Sequence, residues 1–351
     1  MQPQIRYVES SDGARIAYTV IGSGPPLVIM PVLPGTHLEM DWQLPDRQEW
    51  YTRLAQSFTL VRYDGRGAGL SQREVHDLSL ESQLADLTAI VDKLGFESFA
   101  ILSRHIAAPI ALTFAAENPE RVSRLVLWNA VYRVADFTST KRTQALLTLL
   151  DQDWELFTET NSYASQGWVE TTKARQFAAY MRAAISQAMY RQYLLEFHDI
   201  DCADLLPRVQ CPALVFHRKE VAKFELEVSQ RLAARLPNAR LVLAEGQSTA
   251  LFGEDLPNVT ETIEAFLQEG DEFEHGSELP DAASSGFTGR EVEILRLVSC
   301  GKHNREIASE LGVSVHTVDR HMANIFTKIG AHNRVEAATF ALTHGLSQPA
   351  T

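Results

Sequence analysis

Residues 58–71 read FTLVRYDGRGAGLS. The stretch 58–63 is mostly apolar and suits a strand buried on both faces, and the glycines at 65, 67 and 69 allow the chain to reverse sharply where that strand ends. Similar apolar runs stand at 27–31, 99–103, 125–128, 213–217 and 241–244, with helical stretches between them. Strands alternating with helices predict a mostly parallel α/β sheet joined by right-handed crossovers. Residues 6–7 and 14–19 are expected to add an antiparallel edge. Between Tyr132 and Leu206 the strand signal disappears, and helical segments carrying Trp154, Phe157, Trp168, Phe177, Tyr180, Tyr190, Tyr193 and Phe197 take over. A helical cap inserted at about 133–206 is the expectation.

The chain has 351 residues, 45% of them hydrophobic and 22% charged, enough to bury a sizeable core in two globular domains. Residues 269–286, EGDEFEHGSELPDAASSG, hold six acids and no base and lack apolar periodicity, so they read as an acidic linker between domains 1–268 and 287–351. The net charge is -13, yet residues 287–351 carry seven Lys or Arg against six Asp or Glu. A near-neutral tail is a weak footprint for DNA by charge alone, so a nucleic-acid role has to rest on motifs. No run approaches the roughly 18 apolar residues a membrane span needs, and the N-terminus lacks a signal-peptide pattern; a cytoplasmic location with no membrane partner is expected. Cys202, Cys211 and Cys300 lack CxxC spacing and read as free thiols.

Several landmarks resemble the α/β-hydrolase family across 1–268. Tyr63-Asp64-Gly65-Arg66-Gly67-Ala68-Gly69-Leu70-Ser71 is similar to its D-x-R-G-x-G-x-S turn. Asn118-Pro119-Glu120-Arg121-Val122 matches the exit from the helix after the nucleophile elbow, and Cys211-Pro212-Ala213-Leu214-Val215 the entry to the strand that presents the acid. The resemblance implies an α/β-hydrolase fold with a helical cap. It also implies where a Ser-His-acid triad and an oxyanion hole would stand. In this chain the elbow reads Ser103-Arg104-His105-Ile106-Ala107, with His105 in the nucleophile position and both flanking glycines replaced. Val221 falls at the acid, Thr249 at the histidine, and Pro31-Val32 at the oxyanion segment. With no catalytic residue assigned and no cofactor or metal, the expectation is that the chain is not an enzyme.

His105 has three readings: a core histidine satisfied by a backbone carbonyl, a polar anchor at a pocket floor, or, with His37 and His217, a metal ligand that lacks an acid or Cys at ligand spacing. As a pocket, the site is expected to be lined by Val32, Leu33, His105, Ile106, Trp128, Val221 and Thr249, with cap aromatics above. Its occupant would be a largely apolar small molecule with one or two polar handles.

Residues 287–346 resemble the LuxR-type DNA-binding domain end to end, implying a four-helix helix-turn-helix. Thr288 and Glu291 form a capping box, and Gly301-Lys302-His303-Asn304-Arg305-Glu306-Ile307-Ala308 is similar to the scaffold-helix motif. Ser314 caps a recognition helix over 315–328, whose Val318, Met322, Ile325 and Ile329 face inward. A fourth helix, 333–342, commonly mediates dimerisation in that family. Arg320 is the candidate for reading a guanine edge; Lys302, Asn304, Arg305, His316, Thr317, His321 and Lys328 are candidates for phosphate contact. Asp319, Ala323 and His303 depart from the family pattern.

Together these readings describe a ligand-responsive transcription regulator that binds double-stranded operator DNA as a homodimer. Two alternatives stay open: a first domain that retains hydrolysis with displaced residues such as Ser103 or Glu220, and one that serves as a protein-interaction platform.

Overall fold

A computed structural model describes residues 3–166, 168, 171–221, 223–251, 257–269, 289–299, 302, 304–311, 313–329, 337, 340 and 341, some in the last helices by backbone alone. The chain divides into two compact units, Met1–Gln268 and Glu269–Thr351. The sequence features at Thr288, Cys300, Gly301, His303 and Gly330, most of the linker and most of the fourth helix lie outside the described residues.

The first unit is built on an eight-stranded sheet: β1 (Arg6–Glu9), β2 (Arg15–Ile21), β3 (Pro26–Ile29), β4 (Thr59–Tyr63), β5 (Phe99–Arg104), β6 (Val122–Trp128), β7 (Ala213–Arg218) and β8 (Ala239–Ala244), in the order β1-β2-β4-β3-β5-β6-β7-β8. β1 and β2 run antiparallel at one edge, and every pairing from β4 through β8 is parallel. The parallel sheet and antiparallel edge follow the apolar runs of the sequence.

Alternation within these strands builds two cores. Val28, Val61, Ile101, Leu125 and Val215 face one side, and pack with α3 (Leu80–Lys93), α4 (Ala108–Glu117) and α10 (Leu226–Arg235). Leu27, Leu60, Leu102, Val126 and Phe216 face the other, against α2 (Pro45–Leu54), which follows the short α1 (Leu38–Gln43), and α11 (Pro257–Gln268). A period of two in strands that are apolar at nearly every position makes both faces hydrophobic, so each must be covered by helices. Between β6 and β7 stand α5 (Ala135–Thr138), α6 (Lys141–Gln152), α7 (Trp154–Ser165), α8 (Thr171–Ala184) and α9 (Gln187–Phe197). Phe157, Tyr190, Tyr193 and Phe197 join the first core, so much of the aromatic wealth of this segment is spent on packing.

The glycine-rich turn after β4 is built around Asp64. Its carboxylate accepts from the Thr36 hydroxyl at 2.7 Å, from the Leu38 N–H at 3.0 Å and from the Leu70 N–H at 2.8 Å. Gly69 has φ +54, and a Cβ there would collide with that carboxylate, so this position requires glycine. The turn thereby anchors the segment 33–38, which forms a wall of the site described below. Arg66, also on the turn, is buried with Asp86 at 2.6 Å and reaches the half-exposed Asp12 at 2.6 Å.

The second unit holds α12 (Gly289–Ser299), α13 (Asn304–Leu311) and α14 (Val315–Ile329). Ile294, Leu295, Ile307, Val318, Met322 and Ile325 form their common core, which Ala337 and Ala341 join. Ser314 accepts from the Thr317 N–H at 3.1 Å and caps α14. Among the described residues, no helix is long and apolar enough to cross a membrane.

Removing Asp86 takes from the buried Arg66 its buried partner and leaves it, among the described residues, only the more exposed Asp12 as a carboxylate partner. Asp86→Ala is therefore expected to lower unfolding stability by about 3–5 kcal/mol, and Asp12→Ala by about 1 kcal/mol or less. Urea titrations of both variants check this, with a shifted midpoint and unchanged slope as the expected form.

Candidate functional site

β5 ends at Arg104, a single 3-10 turn covers His105–Ala107, and α4 begins at once. His105 sits at φ 53. A left-handed backbone at a residue with a bulky side chain costs free energy and persists only where the surroundings enforce it. The enforcing geometry is the strand-to-helix reversal, which holds the imidazole out of the sheet. Its ring stacks on Phe224 with centroids 4.6 Å apart, and Phe224 stacks in turn on Phe137 at 5.2 Å. Burial, and then the neighbouring charges of Arg104 and Lys223, push the imidazole well below its usual range, opposed weakly by the Thr249 backbone. The ring is neutral at physiological pH, and among the described residues its buried Nε2 makes no hydrogen bond.

Above this elbow lies a partly open cavity of about 80 Å3. Apolar surface comes from Leu33, Ile106, Phe137, Phe177, Met181 and Phe224; polar surface comes from Asn161, Ser165, Gln166 and Thr249. Three basic side chains also line it: Arg47, Arg104 and Lys223. The Lys223 ammonium donates to Asn161 Oδ1 at 2.7 Å and to Ser165 Oγ at 3.3 Å, and burial pulls it down to about 8. Behind the cavity wall, the buried Asp41 carboxylate is shared by Arg47 and Arg62 and accepts from the Tyr51 hydroxyl at 3.0 Å and the Tyr180 hydroxyl at 2.9 Å. Burial raises the Asp41 carboxyl, but the two guanidiniums outweigh it and hold it below the usual range.

Five of the seven positions expected in the pocket, Val32, Leu33, His105, Ile106 and Thr249, line the cavity. Trp128 and Val221 do not. Trp128 is wholly buried in the sheet core, its indole N–H donating to the Thr249 carbonyl at 3.0 Å, and Val221 is buried in the packing around β7. Thr249 connects the loop after β8 to the cap, donating both its N–H (2.8 Å) and its hydroxyl (3.3 Å) to the Ser165 carbonyl. The expectation of a mostly apolar site misses Arg47, Arg104 and Lys223. Arg104 and Lys223 sit within two residues of His105 and Val221 and could have been noticed; Arg47 reaches the site from a helix distant in sequence, and no local pattern announces it. Ser103 is fully buried within β5 and Glu220 is exposed on a turn, so neither displaced residue reaches the cavity. His37 caps α1 by accepting from the Met40 N–H, and His217 pairs with Ser229 at 2.9 Å inside the core, so both are engaged away from His105.

In the second unit, Lys328 is tied to the buried Glu291 at 2.7 Å and Lys302 to Glu310, so both ammonium groups expected on phosphate already have carboxylate partners. Asn304, Thr317 and His321 are half-buried. The side chains of Arg305, His316 and Arg320 lie outside the described residues.

Two family models match the chain: alpha/beta hydrolase fold over residues 25–254, and bacterial regulatory proteins, luxR family, over 285–341. The response regulator Rre1 of Synechocystis is 44% identical over 69 residues, 20% of this chain and 30% of that protein, so the chain spans less than a third of that relative. A putative carbamate hydrolase, RutD of Caulobacter, is 29% identical over 201 residues, 54% of this chain and 74% of that protein. The crystal structure of the esterase RhEst1 from Rhodococcus superposes with a TM-score of 0.65 at 18% identity, covering 76% of this chain and 98% of that one, a likeness of fold. These matches correct one expectation. The substituted triad suggested a chain that is not an enzyme, yet the relatives of its first domain are hydrolases by name, and that exclusion does not stand. Substitutions at the three positions that the family motif assigns to a triad do not by themselves exclude hydrolysis.

Burial and, by a smaller opposing amount, Glu227 leave His217 at about 4 in the folded chain, and His105 is also depressed. Their unfolded values are about 6.5, so the unfolded chain takes up protons that the folded one refuses. Stability from this source is full above about pH 6.5 and is lost as pH falls toward 4. Thermal melts between pH 7 and 4.5 are expected to show that decline, and His217→Gln a shallower one.

Proposed function

The chain belongs to the α/β-hydrolase fold family and ends in a luxR-family DNA-binding domain, and we propose that it is a regulator whose first domain takes a small molecule in the cavity over His105 and converts its occupancy into a change in DNA binding. The observation that carries this is the cavity itself. The strained elbow, the Thr249 tie to the cap and the stacked Phe224 frame a partly open space that brings His105 together with Arg104, Lys223, Asn161 and Ser165. Convergent polar groups in a largely apolar cleft are what fix a small molecule's orientation. For occupancy to matter at the DNA, the molecule must favour one of two arrangements of the chain by its differential affinity, since equal binding shifts nothing.

On the DNA side, a unit of near-neutral charge whose Lys302 and Lys328 are already paired gains little from phosphates alone. Two copies on half-sites related by a two-fold axis multiply weak contacts, and a homodimer working on operator DNA in the cytoplasm is the form this requires. Arg320, on α14, is assigned to base reading, with Asn304, Arg305, His316, Thr317 and His321 positioning the backbone.

A second reading is favoured by the hydrolase relatives: the domain also cleaves an ester or carbamate. In this pocket the neutral His105 is the group placed to attack a carbonyl or to take a proton from water. Turnover of p-nitrophenyl butyrate that disappears in His105→Ala supports it.

The regulator reading is tested with operator duplexes selected from a random pool by the full-length chain. Bound ligand should change operator affinity by about 5- to 150-fold in the wild type. Ile106→Trp, whose indole fills the cavity, should bind the operator without responding. A response of wild-type size in Ile106→Trp contradicts the proposal and favours a protein-interaction platform. On the same duplexes Arg320→Ala should cost about 1–3 kcal/mol and relax the preference at one base pair; an equal loss on random DNA makes Arg320 a phosphate contact.

A further inference from the structure

The cavity has an imbalance of charge. Arg47, Arg104 and Lys223 line it, and no Asp or Glu is among its described lining residues. Two acids stand behind its walls: Asp41, already shared between Arg47 and Arg62, and Asp64, engaged by Thr36, Leu38 and Leu70. Arg104 lies within electrostatic reach of Asp41 and Arg47, and His105 within reach of Arg104 and Lys223. Among the described residues, Arg47, Arg62, Arg104 and Lys223 thus meet two acids, Asp41 and Asp64, in one neighbourhood.

Lys223 is the sharpest part of it. Both acceptors that its ammonium meets among the described residues, Asn161 Oδ1 and Ser165 Oγ, are neutral oxygens, and an ammonium has three hydrogens to give. A half-buried ammonium whose near partners are two neutral oxygens and, 5.8 Å away, the face of Phe137 has no counter-charge among the described residues, and its pull down to about 8 is the sign of that cost. An anion at this point restores the missing partner. The imidazole of His105 lines the same cavity and, being neutral, adds polar surface there without adding charge.

We propose that the molecule taken by this cavity is a short-chain carboxylate, its head group held by Lys223 beside His105 and its hydrocarbon part against Ile106, Phe137 and Phe224. This rests on the ligand-binding reading and names its chemistry. The apolar walls select against inorganic anions, which offer nothing to bury there. The volume sets the length: an apolar cavity of about 150 Å3 accommodates the six carbons of benzene, so about 80 Å3 holds about three heavy atoms, and the rest of a short chain extends through the open side of the cavity.

The test uses the full-length chain and three probes of one shape and different charge: butyrate, butyramide and n-butylamine, titrated by calorimetry or ligand-observed NMR. A charge-assisted hydrogen bond in place of a neutral one predicts that butyrate binds about ten- to a hundredfold more tightly than butyramide, with n-butylamine weakest. Lys223→Met should bring butyrate down to the level of butyramide, and Lys223→Arg should keep a preference for the acid. The comparison of probes on the wild-type chain needs no variant to fold. Equal binding of butyrate and butyramide overturns the carboxylate assignment while leaving the ligand-binding reading intact; a preference that survives Lys223→Met in a chain with a wild-type melting profile overturns Lys223 as the group that holds the head group. Binding of none of the three overturns both.

Discussion

A parallel strand that stops at Arg104 and turns within one left-handed residue into α4 sets the position of everything else in the site. The reversal is sterically expensive at His105, and the sheet on one side and the buried α4 on the other hold it in place. Because β5 lies between β3 and β6 in the middle of the sheet, its end faces the loop after β3, which supplies Val32 to Gly35, and the cap that follows β6. Asp64 fixes the first of these segments through Thr36 and Leu38; Thr249 fixes the cap through Ser165. The cavity is the space that remains when the elbow, the loop and the cap are each held by their own bonds.

What fills the chemical role of the cavity differs from what a triad would bring. A nucleophile, a carboxylate and an imidazole make a site with its own acid. Here an imidazole, two guanidiniums and an ammonium converge with amides and hydroxyls, and the nearest acids among the described residues are engaged by other partners. Arg47 is held between Asp41 and the faces of Phe177 and Tyr180, 5.4 and 4.8 Å from its guanidinium carbon, which orients it without leaving the cavity an acidic group. The chain's overall charge of -13 says nothing of this, since local field is set by the few groups that share one buried neighbourhood.

Much of the fold was legible in the sequence because it depends on local pattern. Apolar runs such as 99–103 and 213–217, glycines 67 and 69, and the inward face of Val318, Met322 and Ile325 each report their own structure within a few residues. The elbow was legible too, since His105 stands between a strand and a helix. The character of the cavity was not. Arg47, Phe177 and Asn161 come from three separate helices, and only the closed tertiary structure brings them over His105. Trp128 and Val221 were misplaced for the converse reason: chain position put them near the site, but the side chain of Trp128 turns to the far side of the sheet and Val221 packs inward. Hydrolase kinship was legible in the motifs at 63–71, 118–122 and 211–215, but the absence of enzymatic activity could not be read off three substituted positions.

The central claim is that one chain couples the cavity over His105 to DNA, and coupling between two binding sites is reciprocal. The most direct measurement is the affinity of the cavity for its ligand, in a full-length chain, with and without saturating operator DNA. The account predicts that the DNA changes this affinity by the same factor by which the ligand changes operator affinity, whichever the sign. An affinity that operator DNA leaves unaltered would contradict it.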